Sequence, residues 1–279
     1  MLNLFSRMSP WRKRSAAIGS ILLVMAMFVA CGDDDSDFAA RPSDDSSSSV
    51  TSKSSDSETS VSSSSSAKAD GSEYDAIANT LKDLRDGQTY KTVKIGDQVW
   101  MAENLNFETD KSTCYGISVE YCDKYGRLYT WAAAMDSAGT WSTNGMGCGC
   151  CSEYCSPTYP VRGVCPDGWH LPTQVEWNTL VNAVGDSITA GKVLKSISGW
   201  ISYNGKGGNG TDDFGFSVLP AGYNGYGGGD SCRAYFWSST EGYNASAFSV
   251  HLSYVDDFVS QDLNNKYNGY SVRCLKDDP

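Results

Sequence analysis

The chain has 279 residues, a formal net charge of −11 and only two histidines. An acidic surface repels phosphate backbones, which argues against nucleic acid as a partner. Two imidazoles also leave histidine-based triads and histidine-rich metal sites poorly supplied.

The N-terminus reads as a targeting segment. Arg7, Arg12, Lys13 and Arg14 precede an apolar run of fifteen residues, 16–30. That is short for a membrane span but suits the core of a secretory signal. It ends in Phe28-Val-Ala-Cys31, which resembles a bacterial lipobox with Phe28 where leucine is usual. The resemblance implies cleavage before Cys31, a diacylglycerol on its thiol and an acyl chain on its amine. Each buried CH2 contributes about 0.8 kcal/mol, so several chains hold a protein on a bilayer where one would be marginal. The alternative is an ordinary signal peptide.

Residues 31–72 read as a tether. Fifteen of the twenty-four residues in 43–66 are serine, with scattered acids and almost nothing apolar. Such a segment buries too little surface to offset its conformational entropy. As a flexible chain it spans on the order of 35 Å. The acids of Gly32-Asp-Asp-Asp35 resemble acidic export signals of surface lipoproteins, which implies an outer-membrane anchor and display on the outer face. The membrane is then a partner through the lipid.

Residues 73–279 form the expected head, with no apolar run long enough to cross a bilayer as a helix and twenty-four acids against fifteen bases. It carries nine cysteines, Cys114, Cys122, Cys148, Cys150, Cys151, Cys155, Cys165, Cys232 and Cys274. Outside the cytoplasm they read as disulfides. Cys114 and Cys122 can staple one loop, Cys165 with Cys274 would close a large one, and Cys232 can join the cluster at 148–155. The odd count leaves one thiol free or paired between chains. The cluster lacks a nearby histidine and the repeated C-x2-C spacing of a zinc ribbon, so a disulfide knot fits it better than zinc.

Within the head, 90–95 and 98–101 alternate around Gly96-Asp97, a two-residue hairpin with glycine first. Residues 128–135 read as a largely buried helix. Residues 165–177 pack a cysteine, a Pro-Asp-Gly turn, a Trp-His pair and a helix start into one stretch. Thr173-Gln-Val-Glu176 is a capping box, and Val175, Trp177, Leu180, Val181 and Val184 follow at helical spacing up to Gly185. Glu176 is thus employed as a cap, and His170 has no acid or nucleophile at an interpretable spacing. This stretch reads as scaffold.

A short helix is expected over 189–196. Two Gly/Asn/Tyr-rich loops, 198–213 and 223–232, flank a strand at 214–219, and strands follow at 234–239, 247–254 and 267–275. The fold class is α+β, disulfide-stapled, with two main helices packed on small antiparallel sheets and long Gly-rich loops.

Six stretches resemble the Fibrobacter succinogenes major paralogous domain. They are Gly96-Asp-Gln-Val-Trp-Met-Ala-Glu-Asn-Leu105, Tyr125-Gly-Arg-Leu-Tyr-Thr-Trp-Ala-Ala-Ala-Met135, Cys165-Pro-Asp-Gly-Trp-His-Leu-Pro-Thr173 with Glu176-Trp177, Leu219-Pro-Ala-Gly-Tyr223, Phe236-Trp-Ser-Ser-Thr-Glu241 and Ser271-Val-Arg-Cys274. The resemblance covers nearly the whole head and implies no particular activity; 139–161 stands outside it as a Cys-rich insertion. More distantly the order of elements is similar to the C-type-lectin-like fold, shared with formylglycine-generating and sulfatase-modifying families. Neither a Glu-Pro-Asn or Gln-Pro-Asp sugar motif nor a Trp-Asn-Asp calcium motif is present, so lectin activity is not implied.

The expected function is non-catalytic binding of a polysaccharide or a surface protein. Candidate contacts are Tyr203, Asn204, Asn209, Tyr223, Asn224, Tyr226 and Trp237, whose rings suit apolar sugar faces and whose amides suit hydroxyls. No cofactor is required. Calcium is the one ion the loop acids would suit, at Asp212, Asp213, Asp230 and Glu241, with Asp256 and Asp257 nearby. A formylglycine-type oxidase would need Cys150 and Cys151 as a reactive pair, and a purely structural envelope role would need no ligand.

Overall fold

A computed structural model describes residues 70–149, 154–225, 228–230 and 232–278. The signal segment, Cys31 and most of the tether lie outside the described residues. The fold begins slightly earlier than expected, because the carboxylate of Asp70 is tied to the guanidinium of Arg162.

The described chain is mostly antiparallel sheet with a few short helices. Strands β1 (Ser72–Asp75), β2 (Thr80–Asp83), β3 (Thr89–Ile95) and β4 (Gln98–Met101) form a meander. The β3–β4 turn is the expected one: Ile95 faces Gln98 and Gly96 takes φ +60°, where a side chain would be strained. Next come β5 (Ser112–Thr113), α1 (Val119–Tyr125), β6 (Leu128–Tyr129), α2 (Trp131–Ala134) and β7 (Trp169–His170). Then follow α3 (Gln174–Val184), α4 (Ala190–Leu194), the small hairpin β8 (Tyr223–Gly225) with β9 (Gly228–Asp230), and β10 (Arg233–Tyr243). Last are β11 (Ser246–Ser253), β12 (Val259–Asn265) and β13 (Leu275–Lys276).

The first sheet runs β1-β2-β3-β4-β13-β7, so the C-terminal strand lies between the hairpin and the Trp169-His170 strand. Cys165 and Cys274, just ahead of those two neighbouring strands, are joined by a disulfide. Cys114 is joined to Cys122 and Cys148 to Cys155, and Cys232 is also disulfide-bonded. The second sheet is β10-β11-β12, with the β10 register interrupted between Trp237 and Glu241.

Two apolar clusters fill the interior. One gathers Trp131, Trp169, Trp237, Tyr129 and Tyr270; the other gathers Trp100, Trp177, Phe216, Phe236 and Val250. Trp237 stacks on Tyr270 with ring centres 4.4 Å apart and donates its indole N–H to Tyr129 O at 2.7 Å.

Several expectations are corrected. Two main helices do not carry the fold: among the described residues only α3 exceeds two turns. Over 128–135 the chain is helical only at Trp131–Ala134, because Leu128 and Tyr129 pair instead with Thr113 and Ser112. Past α2 the backbone is crowded: a Cβ on Gly163, at φ +58°, would lie 2.2 Å from Ala134 O. The expected strand at 214–219 is a turn. Asp212 and Ser217 sit at φ +52° and +53°, and the Asp212 carboxylate accepts from both Ser217 N and Oγ. Residues 267–275 make isolated bridges from Tyr270 to Tyr129 and from Ser271 to Phe236 rather than a continuous strand. The loop expected over 223–232 contains the β8–β9 hairpin, and β1, β2 and β12 were not anticipated.

Candidate functional site

The 165–177 stretch contains the one buried histidine of the described chain. β7 points His170 inward at 5% exposure. Its Nδ1 lies 2.6 Å from Asp277 Oδ1 and its Nε2 3.0 Å from Glu176 Oε1. The other Glu176 oxygen accepts from Thr173 N at 2.7 Å and Thr173 Oγ1 at 2.8 Å, completing the capping box. Burial disfavours the imidazolium, but the hydrogen bond and charge of Glu176, then those of Asp277, outweigh it and raise the His170 pKa above its ordinary value. For Glu176, burial pushes upward and is outweighed by His170 and Thr173, so its pKa falls. The expectation that His170 lacks an acidic partner is thus corrected: Asp277 arrives from 107 residues away, which spacing cannot reveal. With both ring nitrogens held by carboxylates and Cys165 in a disulfide, the stretch fastens α3, β7 and the C-terminal segment together.

A different region is open. A cleft of about 730 Å³ lies over β3, bounded by the Glu103-Asn104 segment, the end of α1 and the 215–219 turn, with Arg273 among its lining residues. Arg273 is 1% exposed. Its Nε donates to Asn104 Oδ1 at 2.8 Å and its two terminal nitrogens donate to Phe216 O and Ser217 O. The guanidinium lies over the Phe216 ring, 4.5 Å from its centre. Burial lowers the Arg273 pKa to about 9, opposed by the charges of Asp212 and Glu103. Asn104 also donates from Nδ2 to Tyr125 O at 2.7 Å and to Ser271 Oγ at 3.3 Å. Beside it Gly126, at φ +75°, leaves no room for a side chain, since a Cβ would meet Asn104 Cβ at 2.7 Å. Asn104 therefore binds α1, the 271–273 segment and Arg273 into one wall.

Two residues that line this cleft, Thr92 and Asn106, each bury a side-chain oxygen, Oγ1 and Oδ1, away from solvent with no hydrogen-bond partner among the described residues. The cleft was missed by sequence reasoning, which looked to glycine-rich loops. The signal available was that four of the six quoted stretches contribute to it, through Asn104, Tyr125-Gly126, Leu219 and Arg273.

The expected contact residues are scattered. Tyr203 is 46% exposed and packs edge-on against Tyr254, and Asn204 is exposed beside it at φ +50°. Asn224 is exposed in β8. Tyr223 is half-buried and packs edge-on against Tyr235 and Tyr270. Two candidates are corrected on burial and bonding. Trp237 is fully buried, so its ring cannot meet a ligand. Asn209 is half-buried, its Oδ1 accepting from Trp200 N at 2.9 Å and its backbone O from Lys192 Nζ at 3.0 Å. Tyr226, Cys150 and Cys151 lie outside the described residues, as does the side chain of Asp230.

Four of the acids proposed for calcium, Asp212, Glu241, Asp256 and Asp257, are individually engaged. Asp212 holds Ser217, Glu241 accepts from Lys266 Nζ and from Cys155 N, and Asp257 pairs with Lys195 at 3.1 Å. Asp256 Oδ1 accepts from Phe258 N at 3.2 Å, and Asp213 is exposed. Among the described residues no three His, Cys, Asp or Glu side chains come together as a metal-holding group.

Residues 93–276 match the family model of the Fibrobacter succinogenes major domain. No curated protein and no solved structure matches the chain.

Proposed function

The chain belongs to the Fibrobacter succinogenes major domain family, and from that premise we propose that it is a surface lipoprotein whose head binds a ligand without transforming it. The anchor is Cys31, residues 31–72 hold the head away from the outer membrane, and the ligand is a polysaccharide or a surface protein. A C-type-lectin-like architecture belongs to the same proposal, supported by the pairing of the last strand with the β3–β4 hairpin at Leu275 and Trp100.

One observation carries the binding reading. The groups with chemical potential in the 165–177 stretch are engaged in fixed pairs, whereas the cleft over β3 is open and lined by apolar and polar side chains together. Its volume falls within the roughly 300–1,000 Å³ range of small-ligand sites. The exposed Tyr203, Asn204 and Asn224 stand outside the cleft lining and are separate candidate contacts.

Two measurements on intact cells and on the purified chain test this. Cys31→Ala should move the protein from the membrane to the soluble fraction and abolish labelling by a fatty-acid analogue. Fractionated envelope polysaccharides and surface proteins should raise the melting temperature of the chain. Retention of the membrane location by Cys31→Ala would contradict the anchor, and no shift with any fraction would contradict the binding head.

A further inference from the structure

We propose that Asn204 is a self-modification site: the backbone nitrogen of Gly205 attacks its side-chain amide, and the residue ends as aspartate or isoaspartate. The inference stands on the exposed turn itself and is independent of any ligand.

The chemistry sets the requirements. Glycine has no Cβ to block approach to its own nitrogen, so an asparagine followed by glycine is the pair best able to react. The Gly205 nitrogen bonds to Asn204 Cγ and loses its proton, the Cγ–Nδ2 bond breaks, and ammonia leaves. Water then opens the cyclic imide at either carbonyl. The net change is one water taken up and one ammonia released. The asparagine side chain must therefore be free to swing onto the backbone, and the glycine N–H must be neither hydrogen-bonded nor buried.

The chain contains five Asn-Gly pairs, beginning at Asn144, Asn204, Asn209, Asn224 and Asn268. Four of them fail these requirements. Asn209 Oδ1 accepts from Trp200 N, and Gly210 N donates to Ser196 O at 2.9 Å. Asn268 Nδ2 donates to the Tyr270 hydroxyl at 3.0 Å, and Gly269 N donates to Asn224 O at 2.6 Å. Gly145 is buried so closely against the backbone that a Cβ there would lie 2.0 Å from Met135 O. Gly225 is paired with Gly228 in the β8–β9 hairpin, and Asn224 is tied to Gly269 on its other side.

Asn204-Gly205 meets both requirements. The two residues are exposed, and among the described residues no hydrogen bond engages the Asn204 side chain or the Gly205 N–H. A Cβ on Gly205 would find nothing within 4 Å. The pair forms the tip of a turn with φ +50° and +77°, so ring closure needs the turn to open. Only two bonds close it, Tyr203 N to Lys206 O and Lys206 N to Tyr203 O, each 2.9 Å and each between exposed residues. Such an opening lies at the low-cost end of local unfolding.

The products alter the loop. Isoaspartate lengthens the main chain by one carbon, so Tyr203 and Lys206 no longer face each other across a two-residue turn. Either product sets a new carboxylate beside Lys206, whose Nζ lies 3.8 Å from Asp257 Oδ2. The change reaches Tyr203, which packs edge-on against Tyr254.

The test is peptide mapping by mass spectrometry of the full chain in detergent, held at mildly alkaline pH, with the urea-unfolded chain as reference for each pair. Enzymatic methylation of isoaspartate marks the product. In the folded chain Asn204 should convert first. Asn209 and Asn268 should lag their own unfolded rates by roughly fivefold or more for each hydrogen bond that must open beforehand. Asn204→Gln, which would need a larger ring, should remove the early isoaspartate label. An amide that stays intact at Asn204 in the folded chain while it converts in urea would overturn the proposal. So would earlier conversion at any of the other four pairs.

Discussion

At the residue scale, His170 shows how a group that invites a catalytic reading becomes structural. Its ring bridges two carboxylates, one on the helix cap and one near the C-terminus. Because its folded pKa is raised, the stability it contributes is complete below about pH 6.5 and is lost as pH rises through the raised value. Glu176 has a lowered pKa, so its contribution is complete above about pH 4.5 and is lost as pH falls through the lowered value. The pair is therefore most effective between those limits. His251 works separately: burial, with the charge of Asp262 opposing it, lowers its pKa, so it costs stability as pH falls below about 6.5. Urea unfolding across pH 4–9 should show an alkaline decline in the parent that His170→Gln flattens; an unaltered decline would remove His170 from the balance. The sequence revealed the Glu176 cap from three-residue spacing, but not Asp277, because a partner 107 residues away leaves no local pattern.

At the element scale, local rules worked where local forces decide. The hairpin around Gly96 and the capping box at Thr173 follow from backbone requirements confined to a few residues. They failed where tertiary partners compete for the backbone. Residues 214–219 alternate as a strand would, yet Asp212 folds the segment into a turn and Arg273 takes two of its carbonyls. Residues 128–135 carry helical composition, yet Leu128 and Tyr129 find strand partners. The covalent framework is the strongest element-level tie. The Cys165–Cys274 bond spans 109 residues, and closing a loop of that size removes unfolded-chain entropy equivalent to about 4–5 kcal/mol. Cys114–Cys122 spans only 8 residues and is expected to contribute roughly half as much. Paired alanine substitutions at each bond, compared by urea unfolding, should reproduce that order; a larger loss from the short loop would show that native packing, not loop entropy, sets the values.

At the scale of the whole molecule, composition divides the chain into an expected signal, an expected tether and a head by three different physical rules: an apolar run, a segment that cannot bury itself, and a chain rich in aromatic residues; the described residues, from 70 onward, bear on the head alone. The cleft was not legible. Its wall depends on Asn104 reaching Arg273 across 169 residues, which leaves no local pattern. Glycine-rich composition drew attention to the loops, whereas the open volume lies over the sheet. The division of labour between the 165–177 stretch as fastening and the β3 cleft as recognition surface can be decided by hydrogen–deuterium exchange of the full chain with and without the envelope polysaccharide and surface-protein fractions. Slowed exchange in peptides covering 89–107 and 119–126 is the expected result. Slowing confined to 165–177, or none anywhere, would contradict it.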